Sequence, residues 1–152
     1  MNIQIISVGK PRSDFQSFIG EFEKRISHFI GFQYRFIKAS KLDGKQALDE
    51  EADKVLSIVD EKCDIIVMTR KAKSLSSLEL AKLLNRKMQL SRDIIFIIGS
   101  ADGISDKLKK RADRKISLSK MTLQHDIALI LLFEQIYRAL SIINNHPYHR
   151  KS

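Results

Sequence analysis

The sequence has few of the features that mark secreted or membrane proteins. It contains one cysteine, Cys63, which has no partner for an internal disulfide and lies beside an apolar run typical of a strand. The first residues carry no basic segment ahead of a long apolar run, and no apolar run approaches the length of a membrane-spanning helix. These absences predict a protein that is neither secreted nor membrane-spanning, and the free thiol is typical of a reducing cytoplasm.

Two common signatures of cofactor sites are also missing. A dinucleotide-binding G-x-G-x-x-G motif would follow the first strand, where the junction offers only Gly9, and this argues against a nucleotide-dependent oxidoreductase. The four histidines and one cysteine show no metal-ligand spacing, so we predict no metal site. There is no internal repeat, low-complexity tract or linker, and 152 residues are enough for one domain with its own core.

Charge is the first positive signal in the sequence. The chain carries a net charge of +9 at pH 7 and a sequence pI near 9.7, which favours an anionic partner. Acidic residues gather between positions 43 and 61, whereas basic residues gather at 70–73 and 107–120. This segregation predicts a basic face, with the 107–120 stretch as the candidate for phosphate contacts. An ordinary solvated, lysine-rich surface is the alternative.

Hydrophobic periodicity predicts an alternation of strands and helices. Short apolar runs predict five strands, at residues 3–8, 32–37, 65–68, 94–98 and 115–118. Apolar residues at steps of three and four predict helices at 14–29, 45–61 and 76–89, before a last helix at about 123–144. Ser76 or Ser77 is expected to cap the third helix. The alternation predicts an α/β fold, in which a mostly parallel sheet has helices on both faces.

Two loops after predicted strands are candidates for a binding site, because ligands of such sheets bind at the carboxyl ends of the strands. Residues 98–103 bring two glycines after a buried strand, which permits close approach of backbone to a ligand. Residues 118–123 mix hydroxyl and apolar side chains, and these could hold a flat, polar small molecule. A simple turn and a plain connecting loop are the respective alternatives.

The last helix is too apolar for a single chain of this size to cover. Residues 127–133 are all apolar, and a helix that is apolar all round must be buried all round. One of its faces can cover the sheet, so the other face predicts a homodimer interface. His125, near its start, is interpreted as a capping or structural histidine.

The tail after this helix is chemically rich for a chain end. Residues 146–150 contain two imidazoles, a phenol and a guanidinium. Terminal segments are usually disordered unless something holds them, so a basic tail that frays in solvent is the alternative to a functional one.

Several features together resemble the RlmH family. They are Ile98-Gly99 after a strand, the loop at 118–123, His125, the segment at 134–139 and the tail at 146–150, and the likeness begins at the opening strand. RlmH enzymes are SPOUT methyltransferases that methylate N3 of a pseudouridine in large-subunit ribosomal RNA. The resemblance implies this activity on the ribosome in the cytoplasm, with S-adenosylmethionine as methyl donor and no metal. A non-catalytic ribosome-binding protein that keeps the fold is the alternative.

The resemblance also implies an architecture and a cofactor site. Residues 1–152 would form one SPOUT domain with a C-terminal trefoil knot, and would pair as a homodimer in which the tail, residues 144–152, lies near the partner's cofactor. The implied cofactor contacts are Met68, Gly99, Leu118, Ser119, Lys120, Met121, Thr122 and Leu123.

Three tail residues carry the chemistry that methyl transfer to an imide nitrogen needs. The acceptor nitrogen must lose its proton, and a histidine has a suitable intrinsic pKa. We hypothesise that His149 helps to deprotonate or orient the pyrimidine imide and that Tyr148 stacks on the base or hydrogen-bonds to it. Arg150 would stabilise the developing negative charge or a neighbouring phosphate.

Four positions depart from the family pattern. Family members usually have a second glycine at Ser100, an arginine at Leu129, an acidic residue at Thr69 and a glycine at Ala72. We expect Ser100 and Ala101 to tighten the cofactor loop. We expect Leu129 to remove a charge from the dimer-facing helix, where an arginine could help to bind RNA.

Overall fold

Five parallel strands form a single sheet in the computed structural model, which describes residues 1–150. The strand order is β2-β1-β4-β3-β5, and every neighbouring pair is parallel. The strands are β1 (Asn2–Val8), β2 (Gly31–Ile37), β3 (Asp64–Met68), β4 (Ile94–Ile98) and β5 (Arg114–Ile116). The predicted α/β class, the five strands and their parallel arrangement are confirmed. The trefoil knot stays a prediction.

Helices cover both faces of this sheet, as predicted. They are α1 (Gln16–Ser27), α2 (Gly44–Ile58), α3 (Ser77–Gln89), α4 (Asp106–Arg111) and α5 (His125–Ile143). Helices α1, α3 and α5 pack on one face, and α2 and α4 pack on the other. None of the helices within residues 1–150 is long and apolar enough to cross a membrane.

The central strands are buried on both faces, which explains their continuous apolar sequence. In β4, Ile94 and Phe96 point toward α5, while Ile95 and Ile97 point toward α2 and α4. All five residues of β4 are buried. Strand β2 lies at the edge of the sheet, and its exposed and half-buried residues alternate accordingly.

The sequence pattern did not predict helix α4, because this helix is short and strongly basic. It has six residues, of which Leu108 alone is buried. Ser105 caps it by accepting a hydrogen bond from the Leu108 backbone N–H at 3.1 Å. Ser76 caps α3 in a reciprocal capping box with Glu79, so the capping residue is Ser76 and not Ser77.

A charged cluster at the amino end of β3 joins it to the end of α3. Asp64 is buried there and accepts hydrogen bonds from Lys87 and from Arg92, the latter at 2.5 Å. Burial raises the pKa of Asp64, but the hydrogen bonds from Arg92 and Lys87 outweigh it and hold the pKa below its usual range. This cluster lies at the amino ends of the strands, and the carboxyl ends lie on the other side of the sheet.

Helix α5 places Leu129 in the core. Leu129 is fully buried in the core between the sheet and its helices, so it faces neither a second subunit nor RNA. The face of α5 that stays open instead carries Ile127, which is 43% exposed, together with the half-buried Ile130 and Leu131. A single chain therefore covers one side of α5 and leaves an apolar side available.

Candidate active site

A cavity of about 570 Å³ opens at the carboxyl edge of the sheet, where the segments after β3, β4 and β5 meet. Its volume lies in the range of small-molecule sites. The cavity brings together seven of the eight implied cofactor residues: Met68, Gly99, Leu118, Ser119, Met121, Thr122 and Leu123. Lys120 is exposed and does not line the cavity.

Gly99 forms one wall of this cavity and has no room for a side chain. A Cβ at this position would overlap the backbone carbonyl oxygen of Gly103 and the side chain of Ile104. The turn closes through a 2.9 Å hydrogen bond from the Gly103 N–H to the Ser100 carbonyl, and Gly103 has φ near +100°, which favours glycine. The two glycines are thus required by a tight turn, and that turn shapes the cavity.

Ser100, which departs from the family pattern, has its own partner. Its hydroxyl donates to Glu51 Oε1 at 3.1 Å, and the Ser40 backbone N–H donates to Glu51 Oε2 at 2.8 Å. Glu51 is buried on α2, so it links the loop after β2 to the loop after β4. In the sequence it was one acidic residue among many, because a contact between positions 49 residues apart leaves no local pattern.

The loop after β5 is held in place by its own hydroxyl groups. The Ser117 hydroxyl donates to the Ser119 carbonyl at 2.7 Å, and the Met121 backbone N–H donates to the Ser119 hydroxyl at 2.9 Å. The Arg70 guanidinium, from the loop after β3, donates to the Thr122 hydroxyl. The loop is therefore held by internal hydrogen bonds, with the exposed Met121 at the cavity.

A histidine and a carboxylate lie side by side at the start of α5, next to the cavity. His125 lines the cavity, and its Nδ1 lies 3.1 Å from Asp126 Oδ1. Asp126 is buried, and its Oδ2 accepts a hydrogen bond from the Arg12 backbone N–H at 3.1 Å. His125 Nε2 is a buried side-chain nitrogen without a hydrogen-bond partner in the part of the chain that the structure describes.

Positive side chains gather at the cavity, but only part of the predicted basic stretch takes part. Arg70, Lys71 and Lys109 line the cavity, and none of them pairs with a carboxylate of residues 1–150. By contrast, Lys107 pairs with Asp53, and Arg111 lies 3.6 Å from Asp113 Oδ2. The 107–120 stretch is therefore not one uniform cationic surface.

The described part of the tail, residues 144–150, is packed against α5 and does not line the cavity of its own chain. The Tyr148 ring packs edge-on against Tyr137 with 4.6 Å between centroids, and its hydroxyl donates to Glu134 Oε1 at 3.1 Å. The His146 backbone N–H donates to the Ser141 carbonyl at 2.8 Å. The described tail is thus held in place and does not match a fraying end. Residues 151 and 152, the end of the predicted tail, lie outside the described residues.

Two contacts set the hydrogen-bond roles of the tail side chains. Arg138 Nη1 lies 3.2 Å from His149 Nδ1, and a guanidinium can only donate, so Nδ1 accepts and the ring proton is on Nε2. Burial and the neighbouring Glu134 carboxylate raise the pKa of Tyr148, so its phenol stays protonated at neutral pH. His149 and Tyr148 are therefore both hydrogen-bond donors in this arrangement.

The tail and the cavity lie against different parts of α5. Ala128 lines the cavity, whereas Arg138 holds His149. These two residues are ten positions apart on α5, or about 15 Å along its axis. The three tail candidates, Tyr148, His149 and Arg150, therefore do not meet the cavity residues within one chain. Within residues 1–150, no three histidine, cysteine or acidic side chains are grouped to hold a metal ion.

Comparison with known proteins gives full-length matches. Residues 1–149 match the family described as "Predicted SPOUT methyltransferase". Ribosomal RNA large subunit methyltransferase H from Chromobacterium violaceum is 37% identical, and the alignment covers 99% of this chain and all of the relative. The protein of that name from Nitrosomonas eutropha is also 37% identical, with 99% of each chain covered, and that from Christiangramia forsetii is 32% identical.

Two solved structures share the fold at low sequence identity. A methylase family protein from Haemophilus influenzae Rd KW20 superposes with a TM-score of 0.57 at 13% identity, covering 98% of this chain and 70% of the other. A methylase family protein from Neisseria gonorrhoeae gives 0.53 at 12% identity, covering 99% and 87% of the two chains.

The turn at Gly99 yields a paired test. We expect Gly99→Ala to lower the free energy of unfolding by about 1–3 kcal/mol, because its methyl group meets fixed backbone. Gly20→Ala is the matched control, since Gly20 lies within α1 with open space around it, and alanine there should stabilise by up to about 1 kcal/mol. Urea unfolding measures the free energy of unfolding of both variants. Equal stability of the two variants would contradict the steric explanation.

Proposed function

Because the chain belongs to the SPOUT methyltransferase family, with S-adenosylmethionine as the implied methyl donor, we propose that it methylates large-subunit ribosomal RNA at N3 of a pseudouridine. The full-length relatives named for large-subunit RNA methylation, at 32–37% identity, support the substrate class. The resemblance of the loops and tail to RlmH supports the position on the base. The observation that carries the proposal is the convergence of seven implied cofactor residues on one cavity.

The cavity suits S-adenosylmethionine chemically. Met68, Leu118 and Leu123 provide apolar surface for a flat base, while the Ser119 and Thr122 segments bring hydroxyl and backbone groups for its polar edges. The unpartnered Nε2 of His125 adds a further polar atom beside the cavity. When bound, the cofactor supplies a methyl group on a positively charged sulfur, and the chemistry needs no metal.

Catalysis by this chain's own residues consists of positioning and proton removal. Correct placement of the acceptor nitrogen contributes several kcal/mol, and a well-placed base contributes roughly 10²–10⁴-fold. Arg150 would offset negative charge on the imide or a phosphate. His149 presents Nε2–H as a donor while Arg138 occupies Nδ1, so it would orient the imide first and accept a proton only after leaving Arg138. Tyr148 holds the tail through Glu134.

We propose a homodimer as the assembly in which the tail meets the cavity. Within one chain the tail candidates and the cavity lie apart, so the proposed catalytic groups need a second copy. The open side of α5, with Ile127, Ile130 and Leu131, offers an apolar surface for that copy. Leu78, at the start of α3, is 51% exposed and adds to the uncovered apolar surface. An isologous pair would place each tail across the interface.

Unpaired cations at the cavity support RNA as the partner. Arg70, Lys71 and Lys109 have no carboxylate partner among the described residues, which leaves their charges free for phosphate oxygens. Other basic residues, such as Lys107, are already paired.

A ribosomal substrate also implies a location in the cytoplasm. We favour the enzyme over a non-catalytic ribosome-binding protein because such a protein has no need of the preformed cavity.

The proposed reaction is tested by mass spectrometry of ribosomal RNA from cells with and without this gene. We expect N3-methylpseudouridine to be lost with the gene and restored by the full-length chain. A chain truncated after Asn145 should fail to restore it, because the truncation removes Tyr148, His149 and Arg150. An unchanged methylation pattern without the gene would rule out the activity, whereas restoration by the truncated chain would rule out only the role of the tail.

The cation proposal is tested by the salt dependence of ribosome binding. Lys71→Ala and Lys109→Ala should each weaken binding and reduce the slope of log affinity against log salt by about one unit per lost phosphate contact. Lys107→Ala is the control, because this lysine already pairs with Asp53, and its slope should stay near wild type. If Lys107→Ala reduced the slope as much as Lys71→Ala does, the position of the charge would not matter. That result would contradict the proposal.

A further inference from the structure

The contact between His125 and Asp126 determines which ring nitrogen carries the proton. Asp126 Oδ1 lies 3.1 Å from Nδ1, and Oδ2 is already engaged by the Arg12 backbone N–H at 3.1 Å. An ionised carboxylate only accepts hydrogen bonds, so Nδ1 must carry the hydrogen in this contact. In the neutral ring this leaves Nε2 with a free lone pair.

That lone pair accepts no hydrogen bond, although a buried nitrogen is expected to have a partner. Nε2 is buried and unpartnered among the described residues, although buried polar atoms in folded proteins nearly always have a partner. The atom has almost no accessible surface in this arrangement, so a group in the cavity reaches it only when the ring shifts. His125 lines the cavity together with Leu123 and Ala128. The missing partner is therefore to be sought in what fills the cavity.

We propose that Asp126 fixes the tautomer of His125 so that Nε2 accepts a hydrogen bond from an N–H or O–H group of S-adenosylmethionine. His125 is then a cofactor-binding residue, and Asp126 is a positioning residue that acts through it. This inference rests on the proposed function, since it assumes that the cavity holds this cofactor. It revises the interpretation of His125 as a capping or structural histidine.

A purely structural role makes different predictions for the two ring nitrogens. If the pair only ties the segment at Arg12 to α5, the Nδ1 side would affect stability and Nε2 would not affect ligand binding. His125→Asn separates these roles, because its amide can keep a hydrogen bond to Asp126 while the Nε2 position is lost. His125→Gln extends an amide toward the Nε2 position and should restore part of the binding.

The experiment measures the affinity of S-adenosylmethionine by calorimetry. We expect His125→Asn to weaken binding by about tenfold, the usual effect of one lost hydrogen bond, and His125→Gln to recover part of that loss. Asp126→Asn should weaken binding at least as much, because its amide can donate to Nδ1 and leave a hydrogen on Nε2. His28→Asn, at an exposed position outside the cavity, is the control.

A second readout does not depend on any variant. In ¹⁵N NMR spectra of the wild-type protein at a pH where the ring is neutral, Nδ1 of His125 should show the shift of a protonated nitrogen and Nε2 that of an unprotonated one. Asp126→Asn should reverse the assignment. The opposite tautomer in the wild type would overturn the inference even if every variant failed to fold.

Ligand fragments identify the donor. Methylthioadenosine lacks the methionyl ammonium, so a loss of affinity by His125→Asn for both ligands places the donor on the nucleoside, and a loss for S-adenosylmethionine alone places it on the ammonium. Either result supports the inference. Equal affinity of wild type and His125→Asn for S-adenosylmethionine would overturn the inference alone. No binding by the wild type would overturn the proposed function as well.

Discussion

The absence of a side chain at Gly99 is the constraint on which the cavity depends. The backbone after β4 turns so tightly that the Gly103 carbonyl and the Ile104 side chain occupy the space of a Cβ. This turn sets one wall of the cavity at the carboxyl edge of the sheet, and Glu51 then holds it through Ser100. The loop after β5 also lines the cavity, and it is held by its own hydroxyl groups and by the contact of Arg70 with Thr122.

Much of the fold could be predicted from the sequence because its signals are local. Continuous apolar runs located the buried strands, and the spacing of apolar residues located four of the five helices. Helix α4 escaped because one buried leucine in six residues gives no periodicity. The burial of Leu129 could not be predicted, because an all-apolar helix carries no sequence signal that distinguishes its two faces. The family pattern has an arginine at this position, but a pattern does not show which way a side chain points.

The site was predictable where family motifs name residues and unpredictable where contacts span the chain. The implied residues of the β3, β4 and β5 loops meet at one cavity, except for Lys120 at the surface. Asp126 was overlooked because its backbone partner, Arg12, is 114 positions away, and Glu51 was overlooked for a similar reason. Which cations are free also depends on tertiary contacts. The sequence shows Lys107 and Lys109 as equivalent, whereas among residues 1–150 only Lys107 meets an aspartate.

The proposed division of labour, with the cavity on one chain and the tail on another, is tested most directly by mixing two inactive variants. One is truncated after Asn145, and the other carries Ser119→Trp, which fills the cavity but keeps the tail. If the site is shared, the mixed dimer contains one intact cavity facing one intact tail, and random pairing should restore about a quarter of wild-type methylation. A mixture that stays inactive while mixed dimers are present would contradict the shared site.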